Sequence, residues 1–128
     1  MPRFFNPSTV REPFNPYSHG AEVRAGGRLV YLAGQVGVTP NGEMPEDFET
    51  QTENTYRNIE AILADAGMGF ENIVKLTTFI IDPEDLPKMR EIRKRFLGNH
   101  KPAHTLLCVS RLAYPDFLIE VEGVAAED

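Results

Sequence analysis

The stretch that most constrains the fold lies near the end of the chain and contains two β-type patterns. Residues 102–112 form a β-compatible run that opens with a proline. Residues 117–122 then alternate, so that Ile119 and Val121 share one face of a strand and Glu120 lies on the other. These patterns predict two neighbouring strands, one of which presents a carboxylate opposite its apolar side chains.

The first half of the chain predicts a hairpin followed by a long helix. The dipeptide Gly26-Gly27 separates two alternating runs, residues 21–25 and 28–33, which is typical of a hairpin turn. From about Phe48 the apolar residues recur at helical spacing, and Gly67 is placed to end the helix. The proline-rich arm before the hairpin must be held by tertiary contacts or be loose, because it suits neither a helix nor a central strand.

A strand and a second helix follow. Residues 73–81 are rich in β-branched side chains and predict the strand. Asp82 is suited to cap the next helix and Gly98 to end it. At helical spacing, Arg93 falls inside the apolar stripe of this helix and Arg90 on its flank. An arginine inside an apolar stripe requires a structural explanation.

The order of these elements predicts one α+β domain that spans residues 1–128. We expect a mixed sheet of five or six strands with two helices on one face. The strands carry more apolar side chains than two helices can hide, so the second face favours self-association. The residues that suggest this excess are Val30, Leu32, Thr78, Leu106 and Ile119.

Composition narrows the class of protein. The net charge of −6 and the pI near 5.1 disfavour nucleic acid as a main partner. The single cysteine, Cys108, allows no intramolecular disulfide, and we expect it to be buried and inert. The first residues lack the apolar run of a signal peptide, and no stretch approaches the length needed to span a bilayer. These features predict a cytoplasmic protein with no membrane contact.

Ordered segments along nearly the whole chain resemble the Rid family of reactive-intermediate deaminases, also called the YjgF family. The similar segments are Asn15–Gly20, Ala33–Val36, the helix around Gln51–Ile59, the strand Val74–Phe79, and Pro102–Thr105 followed by Ile119–Val121. The resemblance implies a chorismate-mutase-like fold and a homotrimer with ligand clefts between subunits. It also implies hydrolytic deamination of a small enamine or imine, which needs no cofactor because the C=N bond is already electrophilic.

The resemblance assigns roles to several residues. Glu120 matches the family position that orients water for attack on the imine carbon, where a carboxylate can take a proton from that water. Tyr17 matches a residue that lines the ligand cleft, and Gly34 and Thr105 lie in matching segments. From the pattern alone, Glu120 is a solvated glutamate on an outward strand face, and Tyr17 is a packing anchor.

His104 departs from the family pattern, because relatives carry arginine there to hold the carboxylate of the substrate. A guanidinium grips a carboxylate with two charge-assisted hydrogen bonds, which an imidazole cannot do. We therefore expect ordinary α-imino acids to be poor substrates unless Arg90 or Arg93 replaces that arginine. His104 is otherwise suited to bind an anion when protonated, to act as an acid or base, or to finish a strand edge. His19 and His104 alone, without a third ligand, make no metal site.

Three functions remain open at this point. The first is cofactor-independent deamination of a small-molecule enamine or imine. The second is non-catalytic binding of a small carboxylate or aromatic metabolite, as in a regulator. The third is an endoribonuclease or translation inhibitor, which the acidic composition and the lack of a basic stripe disfavour.

Overall fold

The computed structural model describes residues 2–13 and 16–128, so that Asn15 of the Rid-like arm lies outside the described residues. The strands and helices are β1 (Arg3–Phe5), β2 (Gly20–Glu22), β3 (Arg28–Gln35), α1 (Phe48–Asp65), β4 (Ile73–Ile80), α2 (Leu86–Leu97), β5 (Ala103–Cys108) and β6 (Ile119–Glu127). Short 3₁₀ helices precede β4 and α2. This architecture confirms the α+β class. Within the described residues, neither helix is apolar over a length sufficient to cross a membrane.

The six strands divide between two sheets. The main sheet has the strand order β3-β6-β4-β5, and β1 and β2 form a separate antiparallel pair. Strand β6 is antiparallel to both of its neighbours, whereas β4 and β5 are parallel. The prediction that the last two strands are neighbours is wrong. The crossover through α2 sets β5 parallel to β4 on one side, so β6 pairs on the other side of β4.

The predicted hairpin is also wrong, although its turn is present. Gly26 has a positive φ of 92°, as a tight turn requires. The strands on either side of this turn pair elsewhere, β2 with β1 and β3 with β6. A turn sequence fixes where the chain reverses but does not fix which strands pair. The N-terminal arm is held in place by β1 and by Asn6, whose side-chain oxygen accepts the His19 backbone N–H at 2.7 Å.

Gly67 and Gly98 follow the helix ends as predicted, whereas the Asp47 cap of α1 was not predicted. The Asp47 carboxylate accepts the Thr50 N–H at 2.9 Å at the start of α1, and Gly67 follows its end with a φ of 73°. Asp82 caps the 3₁₀ turn that leads into α2, and Gly98 ends α2 with a φ of 59°. Local capping interactions therefore set the start of α1 and of the 3₁₀ turn before α2, and a glycine follows the end of each helix.

A buried glutamine fixes the start of β6 against α1. The Gln51 amide donates to the backbone oxygens of Pro45 at 2.7 Å and Asp116 at 2.8 Å. Its carbonyl oxygen accepts the Leu118 N–H at 3.0 Å. Because Gln51 is fully buried and both ends of its amide are satisfied, it sets the position at which β6, with Glu120, enters the sheet.

The side chains that remain uncovered on the main sheet are not the ones that the sequence suggested. Leu32, Thr78 and Ile119, which were counted among the side chains that two helices could not hide, are buried in the core. Val30 and Leu106 are partly buried against the same core. The register between strands decides which alternating set faces the core, and a slip of one residue exchanges the two faces.

The face opposite the core is left open, and we call it the open face. It carries Leu29, Tyr31 and Leu107, of which Tyr31 is 75% exposed. Cys108, at the end of the edge strand β5, is exposed rather than buried as predicted. The inference that one face lacks a cover therefore holds, but it holds for different residues.

Candidate functional site

A cleft of about 180 Å³ lies between α2, the start of β5 and the N-terminal arm. Its wall residues are Tyr17, Arg90, Arg93, His104 and Leu106. Four residues that the sequence suggested for substrate binding thus lie together here. Leu106 is the one aliphatic side chain among these wall residues.

Arg93 and His104 form the base of the cleft. Arg93 is only 6% exposed, and its Nη1 donates to Nδ1 of His104 at 2.5 Å. Since a guanidinium has no acceptor, Nδ1 must be unprotonated, and the Nε2–H of neutral His104 then donates to Thr78 Oγ1 at 2.8 Å. This chain of hydrogen bonds explains the arginine in the apolar stripe of α2.

The cleft holds His104 neutral. Burial, together with the positive charges of Arg93 and Lys75, lowers the pKa of His104 to about 3. Binding of an anion by protonated His104 is therefore disfavoured at physiological pH. The positive charge in the cleft belongs to the arginines instead.

Arg93 is a buried cation without a carboxylate partner. Burial lowers the pKa of Arg93, and the nearby Arg90 adds to that shift, but a guanidinium remains charged. No acidic side chain lies within ion-pair distance of Arg93 among residues 2–13 and 16–128. A buried charge that lacks a counter-ion is costly, so this site is suited to receive an anion.

Two polar residues beneath the cleft were missed in the sequence. Thr78 is fully buried and accepts from His104, whereas its position suggested only a core side chain. Tyr56 is also fully buried, and its hydroxyl has no hydrogen-bond partner of good geometry in the part of the chain that is described. Burial raises the pKa of Tyr56, so it stays neutral beside Arg93. The sequence offered a signal for Thr78 only, because it is a polar residue at a buried position of the alternating strand β4.

A serine clasp positions Tyr17. Buried Ser18 donates from Oγ to the Lys101 carbonyl at 2.6 Å and from its backbone N–H to the Pro102 carbonyl at 3.1 Å. It also forms a parallel bridge with Ala103 at the start of β5. The arm is thereby fastened beside the cleft that Tyr17 lines.

Among the described residues, no cluster of three or more metal-binding side chains is present.

Glu120 and Gly34 lie together on the open face. Strand β6 alternates, with Ile119 and Val121 buried and Glu120 opposite Phe79 on the other face. A Cβ atom at Gly34 would clash with Oε2 of Glu120, so Gly34 leaves room for this carboxylate. The sequence-predicted catalytic residue is therefore on the side of the sheet opposite to His104.

Thr105 also lies on the open face. Its side chain alternates with that of His104 along β5, and its Oγ1 accepts from Lys75 Nζ at 2.6 Å. Within one chain the sheet separates Glu120, Gly34 and Thr105 from the cleft.

The neutral state of His104 predicts a pH-dependent stability. Below pH 6.5 the unfolded histidine binds a proton that the folded one does not bind until about pH 3, so the free energy of unfolding falls as pH falls through this window. The contribution is at most about 1.4 kcal/mol per pH unit. Denaturant unfolding of wild type and His104→Gln between pH 7 and 4 should show the variant losing less stability. Parallel curves would contradict the neutral, buried state of His104.

Comparisons with known proteins cover almost the full chain. A family model described as Endoribonuclease L-PSP matches residues 9–127. A RutC family protein of Pyrococcus abyssi is 37% identical over 119 residues, 91% of each chain. TdcF of Escherichia coli K12, named as a candidate reactive intermediate deaminase, is 34% identical over 122 residues, 91% of this chain and 92% of its own.

Solved structures show the same fold. The Rid family protein YyfB of Yersinia pestis, whose function is unknown, has a TM-score of 0.86 at 31% identity over 98% of both chains. TdcF of E. coli with bound serine has a TM-score of 0.74 at 30% identity, covering 98% of this chain and 99% of its own.

Proposed function

The chain belongs to the Rid/YjgF family, and from that premise we propose that it hydrolytically deaminates a small imine or enamine that carries a carboxylate. The observation that carries this proposal is the buried guanidinium of Arg93 in the wall of the cleft, without a carboxylate partner in the described residues. The serine bound in the TdcF structure likewise carries a carboxylate.

Arg93 supplies the guanidinium that the family signature carries at the position of His104 and that this chain lacks there. One of its five N–H donors goes to His104 Nδ1, which orients the group, and the others remain for a ligand carboxylate. Arg90, one turn earlier on α2, adds a second positive charge to the same cleft. The chain thus keeps carboxylate recognition with an arginine from a helix instead of one from β5.

Glu120 completes the cleft from a neighbouring subunit. The open face, with Leu29, Tyr31 and Leu107, provides an apolar surface for a homotrimer. In this arrangement Glu120 takes a proton from water as the water oxygen adds to the imine carbon. The proton then passes to nitrogen, which gives a carbinolamine. Transfer of the carbinolamine hydroxyl proton to nitrogen forms the C=O bond and breaks the C–N bond, so that ammonia and a keto acid leave.

The direct test supplies an imine generated in situ by an amino-acid oxidase. Purified protein should accelerate the release of ammonia and keto acid above the spontaneous rate, in proportion to its concentration. Tight binding of a carboxylate without acceleration would instead make the protein a non-catalytic binder or regulator.

Assembly gives a separate prediction. Sedimentation at micromolar concentration should report about three chains, because the open face is apolar and uncovered in one chain. Tyr31→Glu places a charge on that face and should shift the protein to smaller species with loss of hydrolysis. A wild-type monomer that still hydrolyses the imine would contradict the shared site.

A further inference from the structure

A second cavity, of about 350 Å³, adjoins the cleft, because Arg90 and Arg93 lie in the walls of both. We call it the basic cavity. The ionisable side chains in its walls are Arg90, Glu91, Arg93, Lys94, His100 and Lys101. Four of these are permanent cations at neutral pH and one is an acid, in a chain whose net charge is −6. Positive charge is therefore concentrated at this cavity against the overall balance of the protein.

The cationic side chains of α2 lie on two sides of the helix, one facing α1 and the other facing the basic cavity. Lys88 pairs with Glu49 at 3.4 Å, and Arg95 pairs with Glu53 at 3.1 Å. Both partners belong to α1, so these cations link the two helices. The acidic residues of α1 thus neutralise the cations on one side of α2 only.

The remaining cations of α2 face the basic cavity. Arg90, Arg93 and Lys94 are spaced by three and four residues, so they share one face of the helix. Lys101 joins them from the loop after the helix. Across the described ranges, none of these four side chains forms a salt bridge.

The helix dipole does not account for this cluster. A cation in the last turn of a helix is stabilised by the nearby carbonyl groups, which explains Lys94. It does not explain Arg90, which lies near the middle of α2, or Lys101, which lies beyond its end. Like charges around one cavity repel one another, and an anion bound between them removes that cost.

We infer that the basic cavity binds a second anionic group of the ligand, a carboxylate or a phosphate, so that the preferred ligand is a small dianion. This inference rests on the proposed function, in which Arg93 holds the first carboxylate in the cleft. Because Arg93 and Arg90 lie between the two spaces, a short ligand can reach both. Lys94 and Lys101 give the second group cations that the cleft does not share.

Calorimetry on the full chain tests the inference with propionate, succinate and phosphoglycolate as probes. Succinate or phosphoglycolate should bind at least about tenfold more tightly than propionate, and the better of the two tells whether the second group is a carboxylate or a phosphate. Lys94→Gln/Lys101→Gln should lower the ratio of dianion to propionate affinity by about tenfold.

The matched control is Lys88→Gln/Arg95→Gln, which removes two charges from the same helix but on the side that faces α1. It should leave the affinity ratio unchanged. The inference would be overturned if both double variants lowered the ratio of dianion to propionate affinity equally, or if wild type showed no preference for dianions. Displacement of succinate by a single-stranded RNA oligonucleotide at lower concentration would also overturn it.

Binding and turnover separate the two proposals. Selective binding of dianions that depends on Lys94 and Lys101, without any imine hydrolysis, would keep this inference and reject the deaminase function. Imine hydrolysis without a preference for dianions would keep the deaminase function and reject this inference.

Discussion

Glu120→Gln is expected to lower the turnover of imine hydrolysis by about 100-fold or more, because the amide keeps the shape of the carboxylate but cannot take a proton from water. Steady-state release of ammonia from the in situ imine measures this loss. Sedimentation of the variant should match wild type, since the substitution adds no bulk and removes no charge from the core. Unchanged turnover would make Glu120 an ordinary glutamate of the open face.

Two further variants sharpen this result. Glu122 lies on the same face of β6, two residues along, and is exposed. Glu122→Gln is therefore the matched control and should leave turnover within about twofold. Gly34→Ala should lower turnover without unfolding the protein, since the new Cβ displaces the flexible end of Glu120 rather than backbone. A Glu122 variant as slow as the Glu120 variant would indicate a general effect of charge.

Arg93→Met is the second large effect, and it should depend on the charge of the substrate. Loss of charged hydrogen bonds worth about 1.5–3 kcal/mol each predicts a fall in kcat/KM of about 10- to 100-fold or more for a serine-derived imine. An imine of similar size without a carboxylate should lose much less. Arg95→Met, on the same helix but paired with Glu53, is the control. Equal losses for both imines would assign Arg93 a structural role only.

His104→Arg tests the same idea from the other direction. If Arg93 already holds the carboxylate, the added guanidinium repels it, and the single variant gains no activity on the serine-derived imine. The exchange Arg93→His/His104→Arg places the arginine at the family's signature position and should recover more activity than Arg93→His alone. A single His104→Arg variant faster than wild type would show that Arg93 is not the carboxylate anchor.

The parts of the fold that depend on local sequence could be predicted. The helix ends at Gly67 and Gly98 and the cap at Asp82 follow from interactions within a few residues. The alternation of β6 around Ile119 and Val121 was likewise readable, because burial follows the strand period directly.

Strand pairing and the choice of face could not be predicted in the same way. The Gly26 turn does not select β1 as the partner of β2, and alternation in β3 does not say whether Leu32 or Tyr31 meets the helices. The resemblance supplied Glu120 and His104 and the helical pattern supplied Arg93, but only the fold brings Arg93 to His104. Thr78 and Tyr56 belong to no sequence motif, and their polar roles depend on the neighbouring side chains of His104 and Arg93.

Strand β6 lies inside the main sheet, yet it follows all the other strands along the chain. Arg28 and Glu127, which pair across β3 and β6, are 99 residues apart in sequence. Until β6 inserts, β3 has no partner in its sheet and β4 is paired on one side only. Such long-range closure slows folding. Whenever β6 is unpaired, the bare edges of β3 and β4 are templates for pairing with another chain, so we expect aggregation to compete with the insertion of β6.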